Sequence, residues 1–230
     1  MPEFDLEDRV AASPLVERIW RGHSTGGGSF ISRAASQWEM VVTRQHDRST
    51  LTVRGPETSA SLAPIPEDAA FVGITFRLGA VLPPLPPGAL VDGGVTLPNA
   101  TRGSFWLAGG AWPYPDYDTA DAFVARILRE GLLVQDPLVA SALAGHATDL
   151  SPRSVQRRIV RATGLTQQTI RQIKRAHAAA ALLAQGVAIL DVVDQLGYAD
   201  QAHLSRALRR FIGDTPARLL RQGQPENRPA

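Results

Sequence analysis

The feature that most constrains this chain is an internal repeat. Residues of its last third match one another at an offset of 49 positions, and the matches fall where a supersecondary unit is defined. Ser151 pairs with Asp200 as a helix cap, and Val155, Ile159 and Ala162 pair with Leu204, Leu208 and Phe211, so each copy carries the same i, i+4, i+7 apolar stripe. Arg157 pairs with Arg206, Arg161 with Arg210, Gly164 with Gly213, and Thr166 with Thr215. Recurrence of cap, stripe, basic residues and exit turn predicts one helix, turn, helix unit occurring twice. In the second copy the first helix is AILDVVDQL, the turn begins at Gly197 and the next helix starts at Asp200. In the first copy the preceding helix is PLVASALAGH, and Thr148 stands where the second has Gly197.

The outward faces of the two capped helices are polar in a way that suits nucleic acid. At 100° per residue, Arg153, Gln156, Arg157 and Val160 lie opposite the first apolar stripe. In the second helix Ala202, Ser205, Arg206 and Arg209 point outward, with Gln201 at the exposed N-terminal edge. Arginine can fork to guanine O6/N7 and glutamine to adenine N6/N7. The expected base-reading residues are therefore Arg153, Gln156, Arg157, Gln201, Ala202 and Arg206. The capped helix start at Ser151, together with Arg158, Arg161, Arg171, Lys174, His203, Arg209 and Arg210, supplies the expected phosphate contacts. An amphipathic helix pair with a solvated surface would explain the apolar stripe, but not the duplicated arginine.

Charge is divided along the same line. Residues 1–150 carry 11 arginines against 17 carboxylates, a net of −6, whereas residues 151–223 carry 12 basic residues against four acids, a net of +8. The basic end is suited to a polyanion, and double-stranded DNA is the partner these faces imply. The segment 166–185 between the two units gives about twenty helical positions, roughly 30 Å. One turn of B-DNA is about 34 Å, so a rigid connector of this length suits two recognition helices in successive major grooves.

Other chemistries find little support. There is no cysteine, which excludes disulfides, thiolate metal sites and a cysteine nucleophile. His23 and His46, the only histidines before position 146, lack metal-ligand spacing, so neither metal nor cofactor is expected. The GGGS at 26–29 lacks the Lys-Ser/Thr of a phosphate loop, and no G-x-S-x-G elbow occurs; the chain is not expected to be an enzyme. No apolar run approaches the ~18 residues of a membrane span, and the first residues are acidic, so the expectation is a cytoplasmic protein with no membrane partner.

The rest of the chain has a different character. Up to about position 118 it is rich in Gly and Pro, with short β-type runs such as EMVVTRQ (39–45), STLTVRG (49–55) and FVGITFRLG (71–79). At TADAFVARILREG the period becomes helical, with a cap at Asp118 or Thr119 and a terminating Gly131. The expected fold is α+β: a β-rich sandwich or barrel over 1–118, a linker helix over 119–136, an all-α domain over 137–223 with two helix-turn-helix units joined by a long helix, and a disordered tail over 224–230. Trp20, Trp38, Glu39, Phe76, Trp106 and Trp112 are candidates for an apolar effector pocket in the β half, against the alternative that they pack core and interfaces.

From about 137 to 222 the sequence resembles the DNA-binding domain of the AraC/XylS family of bacterial transcription regulators. The resemblance is carried by SPRSVQRRI, GLTQQTIRQIKRAHAAAALL and GYADQAHLSRALRRFIGDTP. Val193 departs from it, standing where a small Ala is usual, and the first unit lacks the usual Ala and Gly around its turn. The resemblance implies base contacts from both recognition helices, at the positions named above, and RNA polymerase as a further partner. The β half is similar, in a broad sense, to the cupin-like domains that precede such heads, which implies a small-molecule effector, dimerisation, or both; monomer and homodimer stay open. The same DNA-binding architecture can be joined to alkyl-acceptor repair chemistry, but that requires a nucleophilic cysteine and this chain has none. Two readings remain: an effector-responsive transcription regulator, and a DNA-binding interaction or architectural protein without a ligand.

Overall fold

The computed structural model describes residues 4–143, 145–146 and 150–223; Thr148 and the tail 224–230 lie outside the described residues. The chain is α+β, β-rich and antiparallel first, helical afterwards. Six strands form the main sheet, in the order β1 (Phe4–Arg9), β2 (Val16–Ser24), β7 (Ala69–Phe76), β4 (Glu39–Gln45), β5 (Arg48–Arg54) and β9 (Gly94–Thr96). The three runs picked out by β-type sequence are β4, β5 and β7, at its centre. Strands β10 (Asn99–Thr101), β11 (Ser104–Leu107) and β12 (Gly110–Pro113) make a small meander. Strand β3 (Gly28–Ser32) pairs with β6 (Ser61–Ile65), and β8 (Ala80–Val81) with β13 (Val134–Gln135). A 3-10 turn, Pro87–Ala89, follows β8.

Alternation places Ile19, Met40, Val53 and Ile74 on one face of the sheet, where they join Phe76, Phe105 and Trp112 in one apolar core. Helix α1 (Ala120–Arg129) closes that core with Ala120, Phe123, Val124 and Ile127. The segment expected as a linker helix is thus a structural part of the β half, because its apolar stripe finds its partner there. Thr119 is its N-cap by backbone geometry but makes no side-chain capping bond; instead the Asp116 carboxylate accepts from the backbone N–H of Asp118 and Thr119.

The helices that follow are α2 (Pro137–Leu143), α3 (Pro152–Thr163), α4 (Gln167–Ala184), α5 (Ile189–Gln195), α6 (Gln201–Phe211) and α7 (Pro216–Gly223). Contacts group the chain into two compact units, and they cut across the division expected from sequence. The first holds the main sheet, α1, α2 and α3, as far as Gln167. The second holds the helices from Gln168 onward together with two short segments of the β half, Ile31–Ala35 and Glu57–Ala63.

Candidate nucleic-acid interface

The repeat is reproduced in backbone geometry. Helices α3 and α6 start at residues 49 apart, and each is followed at the same offset by a left-handed glycine, Gly164 at φ 74° and Gly213 at φ 77°. Only a residue without Cβ adopts that turn at little cost, which is why glycine recurs there. The caps are made as expected. Ser151 Oγ accepts from Ser154 N–H at 3.3 Å, and Asp200 Oδ1 from His203 N–H at 2.6 Å.

In the first unit of structure, Ile159 and Ala162 are buried, Val155 is half-buried, and Arg153, Gln156, Arg157, Val160 and Arg161 are exposed on α3. The apolar stripe is held by α2 on the same unit. Arg153, Gln156 and Arg157 line an open groove of about 1430 Å³ together with Val81 of β8, Gly88 of the 3-10 turn and Val134 of β13. The exit of α3 is pressed against that turn: a Cβ added at Gly164 would lie 2.7 Å from the Gly88 Cα. Arg158 is not free; its Nε donates to Asp136 Oδ2 at 2.8 Å. Burial works to raise the Asp136 carboxyl, but the hydrogen bond and charge of Arg158 and the N–H groups of Val139 and Leu138 outweigh it and hold the group below its ordinary value. Sequence reading missed Asp136 as a partner of the interface because the two residues are brought together only by the fold.

In the second unit, Leu204, Leu208 and Phe211 of α6 are buried, while Gln201, Ala202, Arg206, Arg209 and Arg210 are exposed. His203 is half-buried; its Nδ1 accepts from Ala199 N–H at 3.4 Å and its ring meets the Tyr198 ring edge-on. Arg171 and Lys174 lie exposed on α4, and Arg175 donates to the Gly197 carbonyl at 3.2 Å while stacking over Tyr198 at 4.3 Å. That guanidinium braces the turn of the second motif, where Gly197 takes φ 65°. Val193, the departure from a small Ala, is buried beside Val192.

The candidate effector residues are divided between the core of the β half and its surface. Trp38 stacks on Phe76 at 4.0 Å in the core and gives its indole N–H to the Ala80 carbonyl at 2.8 Å. Trp112 is buried edge-on to Phe123, and Arg126 stacks over it. Trp20 lies over Gly73 and donates to Glu39 Oε2 at 3.3 Å, while Trp106 is exposed. Each buried indole is already used by the fold.

Residues 145–222 match the family model described as a helix-turn-helix domain, the kind of unit that the repeated motifs implied. Similar proteins carry the same kind of head. The chain is 34% identical over 88 residues to the HTH-type transcriptional regulator RipA of Corynebacterium glutamicum, covering 37% of this chain and 27% of that protein. To the HTH-type transcriptional regulator VirS of Mycobacterium tuberculosis it is 35% identical over 97 residues, covering 42% of this chain and 28% of that protein. The chain thus spans little more than a quarter of the length of these two relatives. No solved structure matches it significantly. Among the described residues, no helix is long and apolar enough to cross a membrane.

Proposed function

We propose that this chain is a sequence-specific, DNA-binding transcription regulator, non-catalytic and cytoplasmic, in which α3 and α6 are the recognition helices. The observation that carries the reading is the pairing of Arg157 with Arg206: two exposed arginines at equivalent positions of two helices with equivalent starts, caps and exit glycines. Arg153 and Gln156, then Gln201 and Ala202, complete the base-reading faces. Ser151, Arg161, Arg171, Lys174, His203, Arg209 and Arg210 meet phosphates, and Arg158 joins them when it leaves Asp136. Helix α4, 18 residues long, spans about 27 Å at 1.5 Å per residue. That length suits a site of two short blocks about 10 base pairs apart. The region 137–223 acts as the reading head, and the β half with α1 as a regulatory or dimerising part; RNA polymerase is the further partner. A small-molecule effector is the regulatory signal in the first reading, whereas the hydrogen bonds that the indoles of Trp20, Trp38 and Trp112 already make within the fold favour the second, a DNA-binding interaction protein without a ligand.

The test is selection of bound DNA from a random pool, followed by binding of the variants. Arg157→Ala and Arg206→Ala should each weaken binding to the selected site by roughly 1 to 3 kcal/mol, each relaxing preference in a different block. Folded variants that bind as tightly as the parent would refute the assignment of these helices.

A further inference from the structure

The second recognition helix does not end on its own motif. The last carbonyls of a helix have no partner within it, and those of Arg210 and Phe211 are taken by the two segments from the β half. Ala60 N–H donates to the Arg210 carbonyl at 2.7 Å, and Ala34 N–H donates to the Phe211 carbonyl at 2.8 Å. The two segments are tied to each other: Ala35 and Glu57 exchange backbone hydrogen bonds at 3.0 and 2.8 Å, and Ser32 Oγ donates to the Glu57 carboxylate at 2.6 Å. Ala34 is also held through its other backbone group, since His177 Nε2 of α4 lies 2.6 Å from its carbonyl oxygen. A carbonyl only accepts, so the His177 ring carries a proton on Nε2. Ile31 packs over the exit glycine of α6, where a Cβ on Gly213 would lie 2.5 Å from its Cγ2.

One buried residue, Ala34, therefore bridges α4 and α6, through its carbonyl to the first and its N–H to the second. We propose that the segments Ile31–Ala35 and Glu57–Ala63 form a clamp that positions the second recognition helix, with His177 as the positioning residue on α4. This rests on the reading of α6 as a DNA-contacting helix and adds its control: α6 is set by the β half as well as by its own motif. Base contacts demand placement within about 0.5 Å and 10–20°, so loosening the clamp alters how Gln201, Ala202 and Arg206 meet base edges.

The experiment uses the full chain and its selected site, with His177→Ala, His177→Gln and Arg206→Ala compared. Losing the His177 bond should weaken binding about two- to tenfold. Preference should relax only in the block that Arg206→Ala also relaxes, and the amides of Ala34 and Ala60 should exchange faster with solvent. His177→Gln, whose side-chain amide can donate to the same carbonyl, should restore both. Unchanged preference in His177→Ala, an equal loss in both blocks, or no restoration by glutamine would overturn the clamp while leaving α6 as a reading helix. No effect of Arg206→Ala would remove that reading, and the clamp's function with it.

Discussion

The two copies of the repeated motif share caps, stripe and exit glycine, yet they stand in different surroundings. Helix α3, the first of the two proposed recognition helices, is packed in one compact unit with the main sheet, α1 and α2; its exit abuts the 3-10 turn and one of its arginines is held by Asp136. The second, α6, lies in a unit made of α4, α5, α7 and the two clamp segments, which hydrogen-bond to its C-terminal end. A duplicated sequence fixes what each helix can do locally. What the copies do not share, the neighbours at their ends, is set by residues far away in sequence, and there the two heads become unequal.

The largest expected effects come from deleting a buried side chain of each stripe. Ile159 and Leu208 are both fully buried, and truncating either to alanine should cost about 2 to 5 kcal/mol. The four tryptophans, at 20, 38, 106 and 112, all belong to the first unit. In denaturant unfolding, Ile159→Ala should therefore move the fluorescence transition, and Leu208→Ala should move the far-UV circular dichroism transition more than the fluorescence one. If both variants shift both probes equally, the units unfold as one and the comparison has no energetic content.

The exit glycines give a smaller but sharper contrast. Alanine at either Gly164 or Gly213 would be forced into a left-handed conformation, at about 1 to 2 kcal/mol each. At Gly164 the new Cβ would also stand 2.7 Å from the Gly88 backbone, whereas at Gly213 it would meet side-chain atoms, the Ile31 Cγ2 methyl at 2.5 Å and the Ala60 Cβ at 3.1 Å. Gly164→Ala should thus be the more destabilising of the pair by thermal unfolding. The reverse order would mean that the 3-10 turn yields more readily than the clamp.

Much of this was legible in the sequence, for identifiable reasons. Helix identity, the caps at Ser151 and Asp200, the exit turns and the exposed faces depend on short-range periodicity and local hydrogen bonds, and a repeat shows each of them twice. The central strands β4, β5 and β7 showed themselves by β-branched runs between turn residues. What was not legible depends on long-range pairing: that 119–136 closes the β core, that Trp38 stacks on Phe76, that Asp136 meets Arg158, and that Ala34 and Ala60 reach α6. Ala34 and Ala60 act through backbone N–H groups, which every residue but proline possesses, so residue type carried no signal for them.

The smallest effect tests whether the first head is restrained. Asp136 accepts from Arg158 at 2.8 Å, with the arginine half-exposed, so the pair is a surface one and contributes at most about 1 kcal/mol. Burial alone would raise the Asp136 carboxyl, but Arg158 and the N–H groups of Val139 and Leu138 hold it below the ordinary value of about 3.9. A lowered carboxyl contributes stability that is present above its unfolded value and lost as the pH falls through its folded one. The parent should therefore lose slightly more stability than Asp136→Asn as the pH is lowered from about 4, and the two should differ by a constant amount at neutral pH. Arg158 has one guanidinium to share between Asp136 and a phosphate. Asp136→Asn should release it, so binding to DNA should tighten modestly and the salt dependence should steepen by about one phosphate contact. In the second head the position equivalent to Arg158 is Ala207, and among the described residues no ion pair holds Arg206, Arg209 or Arg210, so Asp200→Asn should give no comparable gain. An unchanged salt slope in Asp136→Asn would show that Arg158 does not reach DNA, and that the first head reads its block through Arg153, Gln156 and Arg157 alone.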